Sequence, residues 1–253
     1  MPITSNILYR DSFNFFRNQL INILIISLLT AFISVTLNQI FGTDNEILKI
    51  LHATQDEFST STNINFQKFI QKMTPEQQLL MLKISAAATF SALIGYTILI
   101  GGILTLLRLV SQGENISALR AIYNSFPILP RLLSLLFICS LLIQLGLTLF
   151  IIPGIIMAIA FSFASIITIN DKKSIFTSIK LSCKLAFINI RIIIPAMIFW
   201  LIAKLCLLFI LSKQSLLIPS ATNLVFTTLS NLISTLLIIY LFRLYMLLYN
   251  YNK

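Results

Sequence analysis

The residues best placed to do chemistry in this 253-residue chain are one lysine and a polar stripe, both set inside apolar sequence. Lys204 interrupts the apolar run 192–211 about seven residues before its end, roughly 10 Å deep at 1.5 Å rise per residue. The next apolar run, 221–242, carries Asn223, Thr227, Ser230, Asn231 and Ser234 at helical spacing. That run returns in the opposite direction, so the depth of Lys204 falls near 229–231. Ser230 and Asn231 are therefore its expected partners. An ammonium held among hydroxyls and amides inside a bilayer is the chemistry of a solute site, because intramembrane charges face protein or water. The other reading is snorkelling, in which the long aliphatic stem carries the ammonium out to the headgroups. The sequence leaves both open.

A second set of charges lies at 170–191. On a helix, Lys173, Lys180, Lys184 and Arg191 share one face with Thr177. Ile175, Phe176, Ile179, Cys183, Ala186, Phe187 and Ile190 share the other. A basic amphipathic helix between two spans is expected to lie on an anionic bilayer surface, here the inner leaflet. Placing it there fixes the orientation of every other segment.

The remaining candidates lead nowhere catalytic. No aspartate or glutamate falls in a span, which disfavours proton-coupled transport. His52 is the only histidine and has no ligand set at metal-binding spacing. Cys139, Cys183 and Cys206 are far apart and read as small apolar residues. There is no nucleophile elbow, zinc-protease motif, P-loop or dinucleotide fingerprint. No enzyme, cofactor or metal is expected. The net charge of +10 sits in short loops between apolar runs, a positive-inside pattern rather than a nucleic-acid surface.

The elements that must position these residues are membrane spans. Only 10% of the chain is charged, against roughly 25% in soluble domains, and 57% is apolar. Six spans are expected, at about 20–41, 84–108, 132–152, 154–170, 192–211 and 221–242, in one integral membrane domain covering 1–253. The first is too long for a signal-peptide core and reads as a retained span. The hydrophilic segment 42–83 is expected outside, with a short surface helix over 66–73 and a helix start at Thr74-Pro75. From there a helical pattern runs to about Val110, with Ser85, Ala88, Ala92, Gly95 and Gly102 on one flank suited to close packing. The uncharged stretch 132–169 must break into a hairpin, and Pro153-Gly154 marks the place. Amphipathic segments precede the first, third and fifth spans, suggesting a unit of surface helix, span, turn and span used three times. In the first of them Leu8, Ser12, Phe15 and Phe16 fall at helical spacing. The fold class is thus all-α: a polytopic helical bundle of six transmembrane helices with interfacial amphipathic helices. Both termini are expected in the cytoplasm.

Several motifs resemble one family over nearly the whole length. They are YRDS at 9–12, NFFRNQ at 14–19, MTPEQQ at 73–78, SALRAI at 117–122, PILP at 127–130, PGIIMAI at 153–159, TLSNLIS at 228–234 and IYLFRLYML at 239–247. Together they are similar to the YciC family of bacterial inner-membrane proteins. The resemblance implies a multi-pass protein of the Gram-negative inner membrane and brings no activity or catalytic residues. The hairpin followed by a basic helix also resembles the membrane domain fused to some glycerophosphodiester phosphodiesterases. The expected function is a non-enzymatic role in envelope maintenance or as a partner of other inner-membrane proteins. A small-solute or lipid-handling permease is the alternative.

Overall fold

The computed structural model describes residues 5–41, 75–114, 116–171, 173–212 and 219–251. His52, the surface helix expected over 66–73 and the Thr74 cap lie outside them. Ten α-helices are described: α1 (Ser5–Asn18), α2 (Leu20–Phe41), α3 (Pro75–Ser111), α4 (Ala118–Ser125), α5 (Leu129–Leu149), α6 (Ile151–Ala160), α7 (Ala164–Asn170), α8 (Ile175–Ile188), α9 (Ile190–Ser212) and α10 (Pro219–Tyr251). Six stretches are long and apolar enough to cross a bilayer: α2, α3, α5 with α4, α6 with α7, α9 and α10. Their order repeats the expected unit three times. A short helix (α1, α4 or α8) is followed each time by two spans.

α3 and α10 form the centre. α3 packs against α2, α4, α5, α7 and α10, while α10 packs against α1, α2, α3 and α9. Leu99, Ile103, Leu104, Leu106 and Leu107 of α3 are almost wholly buried. Between helices in lipid the gain comes from tight packing rather than water exclusion, so small residues mark the closest crossings. Gly95 and Gly102 do this on the α2 side. A Cβ on Gly102 would lie 3.4 Å from Ile26 and 3.2 Å from Ile122. Ser85 and Ala92 of the expected flank are exposed instead.

The hairpin breaks three residues earlier than Pro153-Gly154 predicts. Phe150 is extended (φ −155°, ψ 143°) and ends α5. Pro153 lies in the first turn of α6, where a missing N–H costs nothing. Gly146 and Gly154 then let the two helices of the hairpin touch, since a Cβ on Gly146 would sit 2.9 Å from the Gly154 Cα and one on Gly154 would overlap the Leu147 side chain.

Two further features have no counterpart in the sequence reading. The span after the hairpin is broken at Phe161–Phe163, between α6 and α7. The helix of the sixth span, expected to end at 242, continues to Tyr251.

The ends of the spans that carry most of the basic residues come together. Asn22 at the start of α2 accepts the Ala118 N–H and donates to the Ile116 carbonyl, which holds the start of α4. Leu8, Ser12 and Phe15 of α1 are buried, and Tyr9 stacks on Tyr240 with ring centroids 4.7 Å apart. The Arg243 guanidinium lies over the Phe15 ring at 5.2 Å. Tyr245 donates to Asp171 at the end of α7, and Tyr240 donates to the Ile192 carbonyl at the start of α9. Among the described residues, Lys83 and Lys204 are the basic side chains that belong away from this end.

Candidate functional site

Lys204 is on α9, and its ammonium donates to the Ser230 hydroxyl of α10. Ser230 is one of the two partners that depth along the span predicts. The second contact was not expected. Trp200, one turn earlier on α9, presents its ring 5.3 Å from the ammonium, within cation–π range. The Trp200 indole N–H points at the Ser234 hydroxyl at 3.5 Å, and Ser234 donates to the Ser230 carbonyl at 3.0 Å. Two i, i+4 pairs, Trp200/Lys204 and Ser230/Ser234, thus face each other across the α9–α10 crossing. The signal for Trp200 was present in the sequence as that i, i+4 spacing on the lysine's own face.

The other members of the stripe go elsewhere. The Asn231 amide turns to α2, donating to the Ser27 carbonyl at 3.2 Å and to the Thr30 hydroxyl at 3.1 Å. Thr227 donates back to the Asn223 carbonyl at 2.7 Å, and Asn223 is exposed. The stripe is two features: Ser230 and Ser234 on the α9 side, and Asn231 locking α10 to α2. This arrangement ties α2, α9 and α10 together through polar contacts.

The basic face is divided as well. Lys180 and Lys184 are exposed on α8, and Lys173 precedes it in an ion pair with Asp171 at 3.2 Å. Asn189 closes α8, its N–H and amide both donating to the Leu185 carbonyl, so Arg191 belongs to α9. Ser178, Ser182 and Ala186 are the fully buried residues of α8, with Leu181 and Leu185 packed beside them. Of the expected apolar face, Ala186 is buried and Ile175 and Ile179 pack against the core, while Phe176 and Phe187 are 78% and 50% exposed beside the lysines. Ser182 fills the break between α6 and α7. It donates to the Ala160 carbonyl at 2.6 Å and accepts the Phe163 N–H at 3.1 Å, two backbone groups the helix can no longer pair.

Cys183 lies part-buried on α8, and burial pushes its thiol up, which keeps it protonated and a poor nucleophile at neutral pH. Among the described residues, no group of three histidines, cysteines or carboxylates could hold a metal.

A bundle of six bilayer-length apolar stretches, with most of the described basic residues gathered at one end, defines a multi-pass helical membrane protein. The chain belongs to the uncharacterised protein family UPF0259, whose model matches residues 1–247; the YciC family, which the motifs resemble, is this same family. It is 67% identical over 248 residues to a UPF0259 membrane protein of Serratia proteamaculans, covering 98% of this chain and 99% of the relative. It is 54% identical to UPF0259 membrane proteins of Yersinia pestis and Yersinia pseudotuberculosis, covering 98% of this chain and 97% of each relative. No solved structure matches it significantly.

Proposed function

We propose that the protein is a non-enzymatic component of the bacterial inner membrane, with its basic end and both termini on the cytoplasmic side. It acts in envelope maintenance as a partner of other inner-membrane proteins, its basic face held against the anionic inner leaflet. The observation that carries this reading is the fate of Lys204. Its ammonium is engaged by Ser230 and the Trp200 ring, so the charge serves the α9–α10 crossing rather than a passing solute. The gathering of arginines and lysines at one end supports the orientation, because anionic lipid and the insertion machinery both favour basic loops inside. Deletion of the gene, complemented with the parent and with Lys204→Leu, tests the reading. Both genes are expected to restore envelope integrity, and affinity purification of the parent to return a reproducible membrane partner. An intact envelope in the deletion strain, together with no reproducible partner, would overturn it.

One observation favours a second reading, a lipid- or small-solute-handling permease. A cavity of about 360 Å³ lies between α3, α5, α7, α9 and α10, against the break at Phe161–Phe163. Ser162 lines it with a buried hydroxyl that has no hydrogen-bond partner. Discontinuous helices at a cavity are a recurrent transporter device. Uptake or lipid-transfer activity in proteoliposomes, lost on Ser162→Leu, would establish that reading instead.

A further inference from the structure

At the basic end a crevice of about 460 Å³ opens between α7, α8 and the last turns of α10. Ile167, Leu185, Ile188 and Leu248 give it an apolar wall, and Lys173, Lys184, Asp171 and Tyr245 a polar edge. The acid is already occupied. Asp171 holds Lys173 at 3.2 Å and accepts the Tyr245 hydroxyl at 2.9 Å. Lys184 is exposed and has no ion-pair partner among the described residues. The edge therefore keeps a net positive charge next to a wall that water would cover only at a cost. The crevice also lies at the ends of two apolar stretches, which close at Asn170 in α7 and at Leu248 in α10. A free inorganic anion would leave the wall unused, and a zwitterionic headgroup would bring no net charge to the edge.

We propose that this crevice holds one anionic phospholipid, with its phosphodiester against Lys184 and Lys173 and an acyl chain along Leu185, Ile188 and Leu248. The proposal rests on the reading that the basic end meets an anionic leaflet, and it narrows a diffuse surface attraction to one site. Lys180 is the internal control. It is exposed on the same stripe, one turn from Lys184, but does not line the crevice.

The test is native mass spectrometry of the purified full chain in detergent with phosphatidylglycerol, phosphatidylcholine or inorganic phosphate. Retained phosphatidylglycerol is expected to fall about fivefold on Lys184→Gln, the value of one basic side chain close to an anionic lipid. It is also expected to fall on Ile188→Ser, a wall residue exposed enough (68%) to change without unfolding the bundle. Lys180→Gln is expected to match the parent, phosphatidylcholine to be lost, and inorganic phosphate not to displace the lipid. Equal losses for Lys180→Gln and Lys184→Gln would sink the site while leaving the leaflet reading intact. No preference for phosphatidylglycerol in any variant would sink both. Displacement by inorganic phosphate, or full retention in Ile188→Ser, would show a simple anion site and overturn the proposal.

Discussion

Gly95 is where the packing of the bundle is most exposed to test. A Cβ added there would overlap the Ser34 hydroxyl of α2 and come within 3.0 Å of Ser34 Cβ and 3.3 Å of the Thr30 carbonyl oxygen. The hydroxyl can rotate away, but Ser34 Cβ and the Thr30 carbonyl move only with α2 itself. Gly95→Ala therefore forces α2 and α3 apart by a few tenths of an ångström, or distorts one of them. Overpacking of this kind costs about 1–3 kcal/mol. For a chain of this length that is a fall of roughly 2–12 °C in midpoint, at about 2–4 °C per kcal/mol. The assay is thermal unfolding of the purified protein in detergent, read by size-exclusion chromatography. Ser34→Gly in the same chain removes both side-chain obstacles and is expected to restore much of the loss, while Ser34→Ala removes only the hydroxyl and restores less. Gly113 is the contrasting case. Nothing lies within 4 Å of a Cβ there, but its φ of +85° is one that other residues adopt at a cost of about 1–2 kcal/mol. Its alanine variant is thus expected to lose stability that no second substitution recovers. A neutral Gly95→Ala, or a Gly95→Ala/Ser34→Gly chain no more stable than Gly95→Ala, would refute the α2–α3 geometry.

Other outcomes follow from single contacts. Asn231→Leu removes the α10–α2 hydrogen bonds to Ser27 and Thr30 and is expected to cost about 1 kcal/mol, whereas Asn223→Ala at an exposed position is expected to leave the melting midpoint unchanged. Ser182→Ala strands the Ala160 carbonyl and the Phe163 N–H at the break and is expected to cost about 1–3 kcal/mol; Ser178→Ala, whose buried hydroxyl has no partner, is expected to be neutral or stabilising in the same melt. A green fluorescent protein fused at Lys180 is expected to fluoresce and an alkaline phosphatase fused there to be inactive, and the reverse pair would invert the proposed orientation.

How far the sequence alone reaches depends on what each feature relies on. Span limits rest on length and hydropathy, which the chain carries locally, and 20–41 coincides with α2 to the residue. Ser230 was legible because two antiparallel spans can be matched by depth. Asn231 was not, because its partners lie on α2, some 200 positions away, and depth says nothing of which neighbour a helix face meets. The apolar face of α8 divides for a related reason. Apolarity cannot separate contact with lipid from contact with protein: Ile175 and Ile179 pack against the core, Phe176 and Phe187 stay exposed, and the fully buried positions are two serines and an alanine, which permit close approach. The break at Phe161–Phe163 carries no proline or glycine to announce it; the hydroxyl that satisfies it arrives from Ser182, after the next turn. Pro153 misplaced the hairpin by three residues because proline serves a helix start as well as a turn.

Whether water reaches the α9–α10 crossing at Lys204 separates a structural lysine from one that meets solute. In a chain whose Cys139, Cys183 and Cys206 are replaced by alanine, Lys204→Cys and Ser230→Cys can be exposed to a charged, membrane-impermeant thiol reagent from either face of sealed vesicles. The geometry predicts no modification from either side, and full modification once the protein is denatured. Rapid labelling of either cysteine in the intact membrane would reveal an aqueous path to the lysine and contradict its structural role.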